Sequence, residues 1–144
     1  MINLNQELIA PCGMNCGICS SYLAYKNNKR GKGFPNCIGC RARNKQCAFL
    51  KKRCKNELKL LKGEIQFCFE CNCYPCDVLT GLDNRYRQRF KMSMIDNLNE
   101  IKEKGLNNFL TNQEVKYKCK KCGNLISVHS KKCFVCDNIA DWKS

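Results

Sequence analysis

The chain has 144 residues, enough for one ordinary domain or for a small domain with an appendix. Its hydrophobic fraction of 44% includes fifteen cysteines, and without them the apolar content falls well below what a globular core uses. That excludes a fold held by apolar packing alone, while the formal net charge of +14 allows nucleic acid, anionic membrane or acidic protein partners.

The N-terminus, Met1-Ile2-Asn3-Leu4-Asn5-Gln6-Glu7-Leu8, lacks the basic region and apolar run of a signal peptide, and no stretch approaches transmembrane length. The expected compartment is the cytoplasm. There, Cys-x2-Cys pairs are read as metal ligands rather than cystines, and an odd number of cysteines fits a disulfide framework poorly. A structural zinc site contributes roughly 10–16 kcal/mol of folding free energy, comparable with the ~5–15 kcal/mol net stability of a whole domain. Zinc ligands are thiolates, so three four-cysteine sites at about −2 each leave a net charge of roughly +8. The surface stays basic, whether to bind an anionic partner or simply to offset thiolate charge and keep the chain soluble.

Eleven of the fifteen cysteines fall between Cys12 and Cys76. Cys12, Cys16 and Cys19 open the array. After them Ser20-Ser21-Tyr22-Leu23-Ala24-Tyr25 reads as a short helix with Ser20 or Ser21 as its cap. The run from Asn27 to Gly33 is a basic, glycine-containing loop without the order of a phosphate-binding P-loop, and is read as a solvated connection. Cys37 and Cys40 follow. Residues 46–61 read as a helix with Phe49, Leu50, Leu58 and Leu61 on one side. Cys47 and Cys54, seven apart, would share a face of it, as ligands or as small buried residues. Cys68, Cys71, Cys73 and Cys76 close the array.

Cys16-x2-Cys19 with Cys37-x2-Cys40 matches a two-knuckle zinc spacing and makes one closed site. A second site draws on Cys47, Cys54, Cys68, Cys71 and Cys76, with Cys12 competing for either; Cys73 is the candidate non-ligand. The alternative takes Cys12-x3-Cys16-x2-Cys19 as a three-thiolate iron–sulfur cradle, the spacing used by radical enzymes that cleave S-adenosylmethionine. The length and the lack of a strand–helix series argue against their barrel, which leaves a plain iron–sulfur cluster as the competing cofactor.

Tyr86, Phe90, Met94, Leu98 and Ile101 are spaced mostly by four and predict the main apolar helix, with Ser93 and Asp96 able to restart it and Gly105 to end it. Glu100 and Lys104 stand as an i,i+4 pair. Arg85, Arg87, Arg89 and Lys91 surround its start as a solvated face or an anion-contacting surface. Residues 107–114 read as a link. Val115-Lys116-Tyr117-Lys118 alternates as a strand should and leads into Cys119-x2-Cys122, then Cys133-x2-Cys136. A two-residue gap lets both thiolates of a knuckle point at one ion, and four complete a tetrahedron, so a zinc-ribbon hairpin is expected here. His129, the one histidine, stands beside four better-spaced thiolates and is expected to pack rather than to ligate.

With Ala10-Pro11-Cys12-Gly13-Met14-Asn15-Cys16-Gly17-Ile18-Cys19, Cys37-Ile38-Gly39-Cys40-Arg41, Phe67-Cys68-Phe69-Glu70-Cys71 and Tyr74-Pro75-Cys76, the chain resembles the DUF3795 family of bacterial and archaeal proteins. The segment from Arg85 to Gly105, with Ile126-Ser127-Val128-His129 in the ribbon, resembles its longer members. The resemblance implies a zinc-binding protein and supplies neither catalytic residue nor substrate; Cys73 falls outside its pattern.

The expected architecture is a small metal-stabilised α+β protein. A mainly helical, cysteine-rich domain spans 1–112 and a zinc ribbon β-hairpin spans 113–144, with about three zinc ions in all. The expected role is a binding module that docks a nucleic-acid or protein partner through its basic surface. The competing reading is a redox protein or enzyme using an iron–sulfur cluster or an incompletely ligated zinc in the Cys12 to Cys76 array. The first is preferred because no carboxylate or histidine constellation accompanies the array, whereas catalytic zinc keeps an open position near acid–base groups.

Overall fold

The computed structural model describes residues 4–28, 37–39 and 63–137. The helix expected over 46–61, with Cys40, Cys47 and Cys54, lies outside these residues, as does the loop expected from Asn27 beyond Asn28. The described residues form four α-helices: α1 (Ser20–Lys26), α2 (Asp77–Phe90), α3 (Met94–Lys104) and α4 (Leu106–Lys116). Three single turns of tighter helix, Gln6–Leu8, Cys16–Ile18 and Cys68–Glu70, join them. None of the helices among the described residues is long and apolar enough to cross a membrane.

The apolar stripe from Tyr86 to Ile101 is two helices rather than one. Lys91 adopts a left-handed conformation (φ 56°) that ends α2, and the Ser93 hydroxyl accepts the Asp96 amide at 3.0 Å to start α3. Asp83 fixes the corner between them. Its carboxylate, almost fully buried, accepts the Ser93 hydroxyl at 2.6 Å, the Ile95 amide at 3.0 Å and Arg87 Nε at 2.7 Å. Arg87 also reaches Asp96 at 2.9 Å. Burial alone would raise the Asp83 pKa, but the donors from Ser93, Ile95 and Arg87 hold it below its ordinary value.

Gly105 ends α3 as expected, and its amide closes on the Ile101 carbonyl. The link expected over 107–114 is helix α4, and of the strand expected over Val115 to Lys118, Val115 and Lys116 end that helix, Tyr117 caps it and Lys118 alone makes a β-bridge, to Leu125. On a strand, Val115 and Tyr117 would share a face. Instead Val115 is 74% exposed and Tyr117 7%, the separation a helix imposes. Among the described residues there is no sheet, only isolated antiparallel bridges at Ile9 with Asn15, Lys118 with Leu125, and Ile126 with Cys133. The boundary expected between 112 and 113 falls inside α4.

Helix α3 packs between α2 and α4. Leu79, Met94, Leu98 and Phe109 from these helices meet Ile9, Ile18 and Leu23 from the N-terminal segment and Val128 from the C-terminal one in a single core cluster. The loop from Ala10 to Cys16 runs through this core instead of over the surface. Gly13 is what lets it do so: at φ +90° it lies so close to α3 that a β-carbon would meet the Met94 carbonyl oxygen at 2.6 Å and Leu98 at 2.8 Å. The Asn97 side chain then donates to the Gly13 carbonyl at 2.9 Å.

Gly13→Ala should therefore cost about 2–4 kcal/mol, because left-handed backbone strain and a backbone clash add. Gly81, inside α2, has open space around it, and Gly81→Ala should stabilise by about 0.5–1 kcal/mol. Urea unfolding of the two variants tests the pair, and equal midpoints would refute this packing of the loop on α3.

Candidate metal centre

Two short turns carry the C-terminal cysteines, and the same backbone bond closes both. The Gly123 amide donates to the Cys119 carbonyl, and the Asp137 amide to the Cys133 carbonyl, each at 2.9 Å. Gly123 supplies the positive φ (80°) at the end of the first turn. In the second, the Asp137 carboxylate accepts the Cys133 amide at 2.9 Å. The Cys119 amide to the Asn124 carbonyl and the Ile126 amide to the Tyr117 carbonyl then hold the first turn against the exit of α4.

This backbone brings the sulfurs of Cys119, Cys122, Cys133 and Cys136 within 4.8 Å of one another. Cys122 and Cys133 lie 3.5 Å apart, and Cys119 and Cys136 3.9 Å. A tetrahedral zinc with Zn–S bonds of about 2.3 Å has sulfur–sulfur edges of about 3.8 Å, so the arrangement fits a four-thiolate ion. Backbone and side-chain donors favour thiolate here. The Asn124 amide, and then its side-chain nitrogen 3.4 Å from the Cys122 sulfur, draw the Cys122 thiol down to about 6. The amides of Cys122 and Lys121 lower Cys119. Cys136, hydrogen-bonded to Cys122 and partly desolvated, is pushed up to about 12, and burial raises Cys133. Four thiols this close ionise together only around a cation. Spacing alone does not single out Asn124 or Asp137; the signal is a polar residue two positions after the end of a Cys-x2-Cys pair, as Asn124 follows Cys122, or four after its start, as Asp137 follows Cys133.

The N-terminal cysteines are held by different devices. Cys12 sits buried at the tip of the turn in which Ala10 and Met14 are hydrogen-bonded. Asn15, fully buried, accepts the Gly17 amide and starts the turn Cys16–Ile18, so that Cys19 follows as the N-terminal flank of α1. The expected Ser20 or Ser21 cap is not used. Cys19 is pushed up to about 12, first by burial and then by charge on Cys16 and Cys37, while the Ser21 and Tyr22 amides oppose the shift. Cys16, Cys19 and Cys37 are thus electrostatic neighbours. The Cys68–Glu70 turn is tied to this region by the Cys68 amide, which donates to the Pro11 carbonyl at 2.8 Å. Cys76 flanks the start of α2, where its sulfur accepts the Leu79 amide at 3.4 Å. Cys73 is exposed, and Cys71 half-buried. Among the described residues, the C-terminal set is the one group of ligand atoms that all lie within 4.8 Å. The twelve described cysteines make no disulfide with each other.

His129 packs, as the sequence suggests, but with a defined duty. Its Nδ1 accepts the Ser20 amide at 3.1 Å, which makes Nε2 the protonated nitrogen facing the Tyr86 hydroxyl at 2.9 Å. The Phe90 ring meets it edge-on at 4.8 Å. Burial, with the Lys131 charge nearby, lowers its pKa to about 4. Arg87, expected on a solvated or an anion-contacting face, is bound to Asp83 and Asp96.

These features define a mainly helical protein whose irregular segments are organised by cysteines, with a four-cysteine cluster that could bind metal. The chain belongs to the DUF3795 family, described as "Protein of unknown function (DUF3795)", whose model matches residues 8–81. That match contains the Cys12 to Cys76 array and ends before the C-terminal cluster. No curated protein and no solved structure matches the chain.

In an unfolded chain His129 titrates near pH ~6.5, whereas in the fold it stays neutral to about 4. Between these values the unfolded chain binds a proton that the folded chain refuses. This group's contribution is therefore complete above about pH 6.5 and falls as pH drops towards 4. His129→Asn keeps an acceptor for Ser20 without titrating. Wild type should lose about 2–3 kcal/mol relative to His129→Asn across that window, and parallel curves from urea unfolding would show that the imidazole is not held neutral.

Proposed function

We propose that this protein is a zinc-stabilised binding module whose four-cysteine sites are structural and whose basic surface docks nucleic acid. The observation that carries the metal half is the closed set of four sulfurs at Cys119, Cys122, Cys133 and Cys136, which leaves no open coordination position for a substrate. The C-terminal segment is read as a zinc ribbon reduced to two knuckles and bridging backbone contacts. Cys16, Cys19, Cys37 and Cys40 supply a second site by spacing, and Cys12, Cys47, Cys54, Cys68, Cys71 and Cys76 supply the pool for a third. The one histidine supports a structural role for the metal, because both of its nitrogens face Ser20 and Tyr86.

Charge segregation supports the nucleic-acid half. Residues 29–62 contain twelve of the twenty-six lysines and arginines but only one of the twelve acidic residues. Such a run attracts a polyanion at long range and releases counterions when it binds. Arg85, Arg89, Lys91, Lys120 and Lys121 extend the same sign onto the described residues.

Metal analysis of anaerobically purified protein should find about three zinc ions in a colourless chain that unfolds on chelation. A brown protein with iron and inorganic sulfide would overturn the zinc reading in favour of a cluster at Cys12, Cys16 and Cys19. Binding to a mixed-sequence RNA should weaken steeply with salt, and removing charge at Arg85, Arg89, Lys91, Lys120 or Lys121 should each shallow the slope of log K against log salt by roughly 1. Arg87→Gln should instead lower stability, through Asp83. Binding indifferent to salt and to these substitutions would reject the nucleic-acid surface, and no binding at all would move the partner to protein.

A further inference from the structure

The C-terminal cysteine loop reaches back onto the N-terminal cysteine turn at three adjacent residues. The Val128 amide donates to the Ile18 carbonyl at 2.8 Å, the Ser20 amide donates to His129 Nδ1 at 3.1 Å, and the hydroxyls of Ser20 and Ser127 lie 2.5 Å apart in a buried contact. Val128 is fully buried, so apolar packing reinforces the polar contacts. Ile18 and Ser20 flank Cys19, while residues 127–129 stand between the two C-terminal knuckles.

The loop owes its shape to the C-terminal cluster. Ser127 is bonded through its amide to the Lys132 carbonyl, and its carbonyl receives the Lys131 amide. Its hydroxyl accepts the His129 and Ser130 amides. Ile126 bridges to Cys133 itself. Leu125, Val128 and Phe134 are the buried apolar side chains of this segment beyond its cysteines, too few to hold such a turn without the four sulfurs drawn together. On the other side, the Ser20 amide is the first donor of α1, and Cys19 precedes it directly.

We infer that residues 127–129 couple the two cysteine sites, so that metal held by Cys119, Cys122, Cys133 and Cys136 raises the metal affinity of the site containing Cys16 and Cys19, and the reverse. The coupling rests on the zinc reading above. It follows from linkage: the latch is formed only when the C-terminal turn is formed, and it fixes the Ile18 carbonyl and the Ser20 amide, the backbone on either side of Cys19. By reciprocity the N-terminal ion must strengthen the C-terminal one by the same factor.

The test is chelator competition on the full chain reconstituted anaerobically with Co(II), whose thiolate charge-transfer absorption reports each site. Wild type should release its ions in one concerted transition. His129→Ala and Ser127→Ala keep all fifteen cysteines and should keep the cobalt stoichiometry. They should split the transition and weaken the first-released ion about tenfold, while His129→Asn, which retains an acceptor for Ser20, should restore most of the coupling. Cys136→Ser should remove one ion and weaken the N-terminal one by a similar factor. Far-UV circular dichroism of the loaded variants separates loss of coupling from loss of the fold, and if His129→Ala does not fold, Ser127→Ala and His129→Asn decide the matter. Superimposable chelation curves for wild type and the latch variants would overturn the coupling while leaving the metal sites intact. A wild-type chain holding fewer than two ions would overturn the metal reading itself, and the coupling with it.

Discussion

An irregular segment buried in the middle of a protein must find a partner for each of its peptide groups, and residues 8–18 are such a segment. Its partners come from the Cys68 turn, from α3 and α4, and from the C-terminal segment. The Cys68 amide serves the Pro11 carbonyl, Asn97 serves Gly13, and Val128 serves Ile18. Asn15 satisfies Gly17 with its oxygen and reaches Gln113 on α4 with its nitrogen, at 3.1 Å and away from solvent. A buried polar bond of this kind contributes only about 1 kcal/mol net, but leaving one partner unmet costs about 1–3 kcal/mol. The loop therefore specifies the arrangement of the helices around it more strongly than it stabilises them.

That dependence explains what the sequence made legible. The Cys-x2-Cys turns are local, because two residues and a closing amide suffice to aim both sulfurs, and so the C-terminal cluster could be read from spacing. The restart at Ser93 and the stop at Gly105 are local in the same sense: a side-chain oxygen or a positive φ decides them. Asn15 and Gly13 are different. Both stand in plain view between cysteines, yet their work depends on Gln113, 98 residues on from Asn15, and on Met94, far along the chain from Gly13, and periodicity carries no trace of that.

Where tertiary context overrode local pattern, the misreadings share one cause. Val115 to Lys118 alternates like a strand over four residues, too short a window to separate a period of 2 from one of 3.6. Gln113, buried against Asn15, and Phe109 and Leu110, buried in the core, commit the preceding residues to helix, and the last turn follows. Arg87 looked like one charge in a basic turn. Its partner Asp83 lies one helical turn back, and the value of that pair depends on Ser93 and Ile95 lying across the corner, which only the break at Lys91 makes possible. His129 was legible as a packing residue, whereas its use as an acceptor at the start of α1 joins positions 109 residues apart.

The reach of the family match bears on what the cysteines organise. The matched region ends at residue 81, inside α2. The Ser20 amide, the Ile18 and Gly13 carbonyls and the Asn15 side-chain amide are all satisfied by residues between Asn97 and His129. In this chain, then, the matched cysteine loop does not complete its own hydrogen bonding, and α3, α4 and the C-terminal knuckles finish it. Metal at the Cys16–Cys19 turn would fix two sulfurs, but the peptide groups between and beside them would still need those outside donors and acceptors. Thiolate coordination and the buried polar contacts are therefore complementary constraints on one loop: the first fixes where its side chains converge, and the second fixes where its backbone can lie.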